Sequence, residues 1–320
     1  MNTLTFRALR ELADGRFHSG VDVARALGRS RATLNEALKS APDLGVDLFS
    51  VRGRGYRLAA PIDFLDPAQV ALPAGLRLEV CDEVDSTSTR LVERAAAGEP
   101  SGTCLAAEWQ SAGRGRRGRS WVASLGGSLT FSMLWRFERG AGQLGGLSLA
   151  AGSAVAEALA DCGVRRAQVK WPNDVVVDFR KLAGILVETA GEIQGPSAAV
   201  IGVGVNYRLP ERVLDQIDQP VTDLAQCAGD ALPSRSVVLG RLLARLASTF
   251  AQFDVRGFPA VRETWRALHA YQGRPVRVHP PHHKPFDGEV VDVASDGALV
   301  VSTPSGPVHL ASAEISLRIR

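Results

Sequence analysis

Four arginines stand between glycines in the stretch SAGRGRRGRSW, residues 111–121. Arg114, Arg116, Arg117 and Arg119 are guanidinium forks, suited to gripping two oxygens of a phosphate or carboxylate. Gly113, Gly115 and Gly118 let such a loop fold over a small anion and keep water from a reactive intermediate. The same glycines fit the pattern G-x-G-x-x-G. A dinucleotide fingerprint, however, needs a helix opening at the third glycine, because the helix N-terminus must meet the pyrophosphate. Here the strand-like TCLAAEW precedes, and Ser120-Trp121, a polar loop, Gly126-Gly127 and another strand-like run follow. The dinucleotide reading fails on context. A nucleic-acid patch competes with the anion loop, although this stretch lies outside the basic end of the chain.

Further candidates come downstream and upstream. Lys170 lies in VKWPND (169–174) and Lys181 in RKLAGILVE (180–188), where a lysine running straight into an apolar strand is a poor match for a random surface charge. Asn173 and Asp174 follow Pro172 and read as a turn. Asp85-Ser86-Thr87-Ser88 offers hydroxyls that both donate and accept, and Asp85 or Ser86 is positioned to cap a following helix.

The elements that must position these groups read as follows. A chain of 320 residues with 45% hydrophobic residues is expected to form two or three domains with ordinary cores. Cys81, Cys104, Cys162 and Cys227 are widely spaced, which speaks against a disulfide framework or a zinc site and for a reducing cytosol. There is no apolar signal core and no long apolar run, so a soluble cytoplasmic protein with no membrane partner is expected. The net charge is +3, and residues 1–60 hold ten Lys+Arg against six Asp+Glu. A basic module on a near-neutral body suggests an anionic partner; a plain solvated surface is the competing reading.

Within that module, residues 3–13, 21–27 and 30–40 read as helices. Ala24-x3-Gly28-x5-Leu34 is the pattern of a helix-turn-helix over Gly20 to Lys39, with glycine at the tight turn. DLFSVRGRGYRLA reads as a β-hairpin, the wing of a winged helix, carrying Arg52, Arg54 and Arg57. A generic three-helix bundle is the alternative. Arg31 and Asn35 are the candidate base readers on the second helix of the pair, with Lys39 beside them; Glu36 would repel phosphate if turned outward. The organisation is thus a winged helix-turn-helix at 1–60, a proline-rich linker at 61–75, a mixed α/β (α+β) domain at 76–272 and a small β-barrel at 273–320. Strands are expected at 76–84, 103–109, 128–135, 168–172, 175–178, 182–190 and 198–209, and helices at 86–98, 147–163, 236–253 and 258–271. His279, His282 and His283 fall in HPPHH, which reads as an exposed loop rather than a metal site.

The succession QSAGRGRRGRSW, VKWPND and RKLAGILVE, with the Ser-Thr element at 86–88, GVGVN at 202–206 and EISLR at 314–318, resembles the biotin–protein ligases. With the N-terminal module, nearly the whole chain resembles their bifunctional bacterial form, which also represses the biotin operon. The resemblance implies an SH3-like fold for the C-terminal barrel. It implies formation of biotinyl-5′-AMP from biotin and ATP with Mg²⁺, then transfer of biotin to a lysine of the biotin carboxyl carrier domain of acetyl-CoA carboxylase. It further implies an adenylate-promoted homodimer, paired sheet edge to sheet edge, that reads an inverted-repeat operator in DNA. By motif match, Ser86, Thr87, Ser88 and Gln110 hold the biotin head; Ser88 stands where asparagine or glutamine is common. Arg114, Gly115 and Arg116 form the wall around biotin and phosphate, Lys181 contacts carboxyl and phosphate oxygens, and Lys170 contacts ATP phosphates. Arg116, Lys170 and Lys181 are the catalytic candidates. Arg117, Arg119, Asn173, Asp174, Asn206 and Arg318 are nucleotide-side candidates, and Trp121 is either a flap over adenine or a core tryptophan. Competing functions are an effector-sensing repressor without ligase activity, a lipoate–protein ligase, and a ligase whose N-terminal module does not repress.

Overall fold

The computed structural model describes residues 3–191, 195–280, 284–311 and 316–319, with the backbone alone for 191 and 316–319. Helices α1 (Thr3–Glu11), α2 (Gly20–Ala26) and α3 (Arg31–Leu38) precede an antiparallel hairpin of β1 (Leu48–Val51) and β2 (Gly55–Leu58). Ser19 and Ser30 cap α2 and α3, accepting from the backbone N–H of Val21 and Thr33. Gly28 takes φ +63° in the turn between them, the left-handed region that glycine enters without steric cost. Leu9, Leu34, Leu38 and Leu44 close a small core that also takes in Leu125 from a loop far along the chain. The Leu125 N–H donates to Leu44 O at 2.8 Å. Arg10 pairs with Asp82 at 2.6 Å and Arg212 with Asp47 at 3.3 Å, so this unit is seated on the rest of the chain.

The proline-rich segment after the hairpin is pinned. Leu65 and Val70 are buried, the Leu65 N–H donates to Glu108 Oε1 at 2.6 Å and the Asp66 N–H to Ser236 Oγ at 2.8 Å. Fully buried Arg235 donates to Glu108 Oε2 at 2.6 Å, to Asp63 O at 2.8 Å and to Ser128 O at 2.8 Å.

The central sheet is built from β3 (Arg77–Val84), β4 (Thr103–Gln110), β5 (Ser128–Phe137), β6 (Gln168–Lys170), β7 (Asp174–Val177), β8 (Arg180–Gly191) and β9 (Ser197–Asn206), with α4 (Thr87–Ala96) and α5 (Leu147–Asp161) between strands. Among the described residues the strand order is β3-β4-β5-β9-β8-β7-β6, parallel between β3 and β4 and antiparallel elsewhere. Next come α6 (Glu211–Leu214), α7 (Leu224–Ala228), α8 (Arg235–Arg256) and α9 (Arg262–Leu268). Strands β10 (Pro275–His279), β11 (Phe286–Val293), β12 (Leu299–Thr303), β13 (Gly306–Leu310) and β14 (Ser316–Ile319) form an antiparallel C-terminal sheet in the order β13-β12-β11-β10-β14.

Alternation along the central strands decides which face is which. On β9, Ala199, Ile201, Val203 and Val205 join α5 and α8 in the main core, while Ala198 and Val200 meet Leu91 of α4 on the opposite face. Helix α5 is buried over most of its circumference, as its run of alanines allows, and Val276, Val290 and Leu299 of the C-terminal sheet belong to the same continuous core.

Most element boundaries shift by one to three residues, and three of the differences have a visible cause. Strand β9 stops at Asn206 rather than 209, because the N–H groups of Tyr207 and Arg208 turn to Gly127 O. Strand β6 stops at Lys170, and Trp171 and Pro172 form a turn with a cis peptide between them. The helix expected over 258–271 is split into a 3₁₀ turn at Phe258–Ala260 and α9. His279 closes β10; His282 and His283 lie outside the described residues.

Candidate functional site

The α4 face of the sheet is lined by small and polar groups where the strands run beyond α4. Ser128, Thr130 and Ser132 alternate along β5, and Gly184, Gly202 and Gly204 clear space on β8 and β9. Ser86 caps α4, accepting from the Thr89 N–H at 3.4 Å. The Thr87 N–H and Oγ1 donate to Gln110 Oε1 at 2.8 and 3.2 Å. Ser132 Oγ lies 2.7 Å from Thr87 Oγ1 and 3.0 Å from Ser88 Oγ, joining the two hydroxyls. A Cβ at Gly202 would stand 2.3 Å from Ser88 Oγ, so only glycine leaves the hydroxyl its place. Ser132 escaped the sequence reading, although a polar residue at every second position of an otherwise apolar strand was the available signal.

Residues 111–121 form a tight hairpin instead of opening a helix. The Trp121 N–H donates to Gly113 O at 2.9 Å, the Gly115 N–H to Arg119 O at 2.7 Å, and Arg117 at the tip has φ 59°. Arg117 and Arg119 are exposed. The Arg114 guanidinium donates to Thr89 Oγ1 at 3.0 Å and pairs with Glu188. Arg116 crosses to the turn before β7 and donates to Asn173 Oδ1 at 3.2 Å. Burial, with Arg117 alongside, lowers its pKa from the ordinary guanidinium value, and Asp174 opposes that shift.

Trp121 lies in the clearing made by the glycines. A Cβ on Gly204 would fall 2.4 Å from its ring, and one on Gly184 at 3.2 Å. Lys181 Nζ is 5.7 Å from the ring centroid and 2.8 Å from Asp174 Oδ1. Asn206 donates its amide to Lys181 O at 3.2 Å and to Thr222 O at 3.0 Å, fixing the backbone that carries Lys181. Asn173 donates to Ile185 O at 2.9 Å. Lys170 Nζ stands 5.7 Å over the Tyr271 ring, and burial together with the charge of Asp174 raises the Tyr271 hydroxyl above its ordinary pKa. A cavity of about 610 Å³ is lined by residues 112–120 with Leu186 and Val187, within the size range of small-molecule sites.

Fifteen of the candidates on the body thus gather around one face: Ser86, Thr87, Ser88, Gln110, Arg114, Gly115, Arg116, Arg117, Arg119, Trp121, Lys170, Asn173, Asp174, Lys181 and Asn206. Asn206 does so as a brace, with its amide donors committed to carbonyls. Arg318 lies on β14 opposite Arg277, and its side chain is outside the described residues.

The remaining candidates sit on the N-terminal unit. Arg31, Asn35 and Lys39 are exposed on or beside α3, as are Arg52 and Arg54 in the hairpin turn. Glu36 is paired with Lys39 at 2.6 Å, and Tyr56 donates to Asn35 Oδ1 at 3.2 Å. Arg57 is half-buried, 5.0 Å from the rings of both Phe17 and Phe49, and so is less available to a partner than Arg52. Among the described residues no group of three or more His, Cys, Asp or Glu is placed to hold a metal, and no helix is long and apolar enough to cross a membrane.

The sequence profile of the Biotin/lipoate A/B protein ligase family matches residues 80–206, and that of the Biotin protein ligase C terminal domain matches 271–318. The chain is 37% identical over 319 residues to the bifunctional ligase/repressor BirA of Salmonella typhimurium, covering 99% of this chain and 98% of that protein. It is 33% identical to the biotin--[acetyl-CoA-carboxylase] ligase of Paracoccus denitrificans, over 72% of this chain and 96% of that one. The biotin protein ligase of Aquifex aeolicus, solved in complex with biotin and ATP, superposes with a TM-score of 0.64 at 30% identity, covering 76% of this chain and 99% of the other. Hydroxyl strip, arginine hairpin and paired Lys181 thus stand in a chain that belongs to the biotin/lipoate A/B protein ligase family, among the biotin protein ligases.

Proposed function

We propose that this chain forms biotinyl-5′-adenylate from biotin and ATP and transfers biotin to a lysine of the biotin carboxyl carrier domain of acetyl-CoA carboxylase. The convergence of Arg116, Asn173, Asp174 and Lys181 beside the hydroxyl strip carries this reading. In the first step a carboxylate oxygen of biotin attacks the α-phosphorus and pyrophosphate leaves. Two anions must meet, so cations held in place lower the barrier. Lys181 and Arg116 supply that charge at the reacting oxygens, and Lys170 holds the leaving phosphates. In the second step the neutral amine of the carrier lysine attacks the acyl carbon, an amide forms, AMP leaves and the amine loses a proton.

Ser86, Thr87, Ser88 and Gln110, joined by Ser132, take the donors and acceptors of the ureido ring. Arg114 and Gly115 contribute backbone to the wall, Arg117 and Arg119 face the nucleotide from the hairpin, and Trp121 covers the adenylate. Arg318 reaches the nucleotide from the C-terminal sheet. ATP would bring Mg²⁺ on its phosphates, where the ion would neutralise part of their charge, with Asp174 the side chain that would face it. Among the described residues Asp174 belongs to no group of three or more His, Cys, Asp or Glu, which fits an ion carried on phosphates better than one caged by protein.

The domain division is 1–60, 61–75, 76–272 and 273–320, the last an SH3-like barrel, and the protein works in the cytoplasm. Residues 1–60 act as a winged helix-turn-helix that represses biotin-synthesis genes, with Arg31 and Asn35 reading bases, Lys39 beside them on the DNA side, and Arg52, Arg54 and Arg57 facing phosphates. A homodimer promoted by the adenylate presents two such units to an inverted repeat. Biotin-dependent exchange between ATP and pyrophosphate, with lipoate as control, tests the ligase reading; exchange with lipoate alone overturns it. Binding to the chain's own biotin-synthesis promoter, with and without biotin and ATP across a salt series, tests the repressor reading. Equal affinity with and without ligand removes that half and leaves the ligase.

A further inference from the structure

Arg114 is the first arginine of the hairpin and stands at its stem, bridged across to Ser120. Its two terminal nitrogens go separate ways. Nη1 donates to Thr89 Oγ1 at 3.0 Å, in the first turn of α4, and Nη2 pairs with Glu188 on β8. Glu188 is four residues along β8 from Gly184, on the face that Trp121 covers, and its side chain is 27% exposed. The guanidinium plane is rigid, so two anchors in different directions fix the position and tilt of the hairpin stem. Arg116, two residues on, points instead to the Asn173 turn.

We propose that Glu188 is a positioning residue of the arginine hairpin: with Thr89 it holds the Arg114 guanidinium, so that Arg114 staples the stem while Arg116 addresses the ligand. The inference rests on the adenylate-forming reading for its effect on ligand, but not for its effect on the hairpin. It has a sign that separates it from the competing arrangement. A stapling Arg114 loses its hold when Glu188 is neutralised, and the adenylate escapes sooner. An Arg114 that grips the adenylate, with Glu188 as its rival, would hold the ligand longer.

The test uses the full-length chain and Glu188→Gln. In the ligand-free protein, hydrogen exchange at the Gly115 and Trp121 amides should quicken by about tenfold, since both bond across the hairpin. Preformed biotinyl-5′-adenylate should dissociate about three- to tenfold faster, an effect suited to a partly exposed charge-assisted pair. Arg114→Ala should match it, and the double variant should be no worse than Arg114→Ala alone. Thr89→Val, which keeps the shape of the side chain, should move both readouts the same way by less, and serves where Glu188→Gln does not fold. Unchanged amide exchange, slower adenylate release, or effects that multiply in the double variant each overturn the proposal. A wild-type chain that makes no adenylate overturns the ligase reading, and the amide exchange then decides this one by itself.

Discussion

Lys181 Nζ lies 2.8 Å from Asp174 Oδ1, and both side chains are less than one-fifth exposed, at 18% and 19%. The ammonium is therefore already placed and partly desolvated, and an arriving anion need not gather it from water. Lys181→Ala should slow single-turnover adenylate formation by about a hundredfold or more, while the Kd for biotin changes only a few-fold, because the charge it meets is concentrated during attack. Rapid-quench adenylation and a separate biotin titration check this. An equal loss in both would place Lys181 in ground-state binding.

The Trp121 ring and Gly204 compete for one volume. Gly204→Ala puts a methyl 2.4 Å from the ring, which must move. The substitution should destabilise the fold by about 1–3 kcal/mol in urea titrations, the range for overpacking. In a Trp121→Ala background the same change should be nearly neutral. A cost that persists there would assign the strain to something other than the indole.

Arg235 and Glu108 are both fully buried and 2.6 Å apart. Arg235→Met removes the close cation and leaves Glu108 with the Leu65 N–H at 2.6 Å and the more distant Arg10 guanidinium at 3.9 Å. Loss of one partner of a buried pair costs about 3–5 kcal/mol. Denaturant unfolding should show a loss of that size, and Arg235→Met/Glu108→Gln should recover part of it.

His269 stacks on Trp265 at 4.3 Å, and among the described residues neither ring nitrogen finds a hydrogen-bond partner. Burial pushes its pKa down to about 3 from the ordinary 6.5. Above 6.5 both folded and unfolded chains are neutral at this residue; below it the unfolded chain takes a proton that the folded one refuses until about 3. Stability thus falls as pH drops through that window, by at most about 1.4 kcal/mol per pH unit. His269→Phe keeps a flat ring on Trp265 and should flatten the decline between about pH 7 and pH 5, as followed by urea midpoints. An unchanged slope would mean other groups govern it.

Sequence legibility followed chain distance. The Ser86 cap and the lysine ahead of an apolar strand are local features readable from neighbours a few residues away, whereas residues 111–121 read as a glycine-rich loop and in the structure close into a hairpin. Strand β9 was readable as a strand from its composition, but which side faces the core is set by the packing of α5 and α8 on one face and α4 on the other. Period and composition say which way a side chain points, not which strand lies beside it. Ser132 meets Thr87 only because β5 runs under α4, Asn206 braces Lys181 across the β8–β9 pair, and Tyr271 arrives under Lys170 from the segment between α9 and β10. The proline-rich stretch 61–75 reads as a linker, and its pinning is invisible in the sequence because Glu108 and Arg235, which hold it, are distant along the chain.

Leu125 ends the same loop that begins with the arginine hairpin, and it is buried in the core of the N-terminal helices. A domain-shuffling experiment that cuts at residue 60 would therefore strip a cap from each piece. The body would present Leu125 and part of Trp109 to water, and the severed helices would keep a socket with nothing in it. The N-terminal unit is no interchangeable cassette, and a chimera that keeps its helices should also carry residues 121–127 with them.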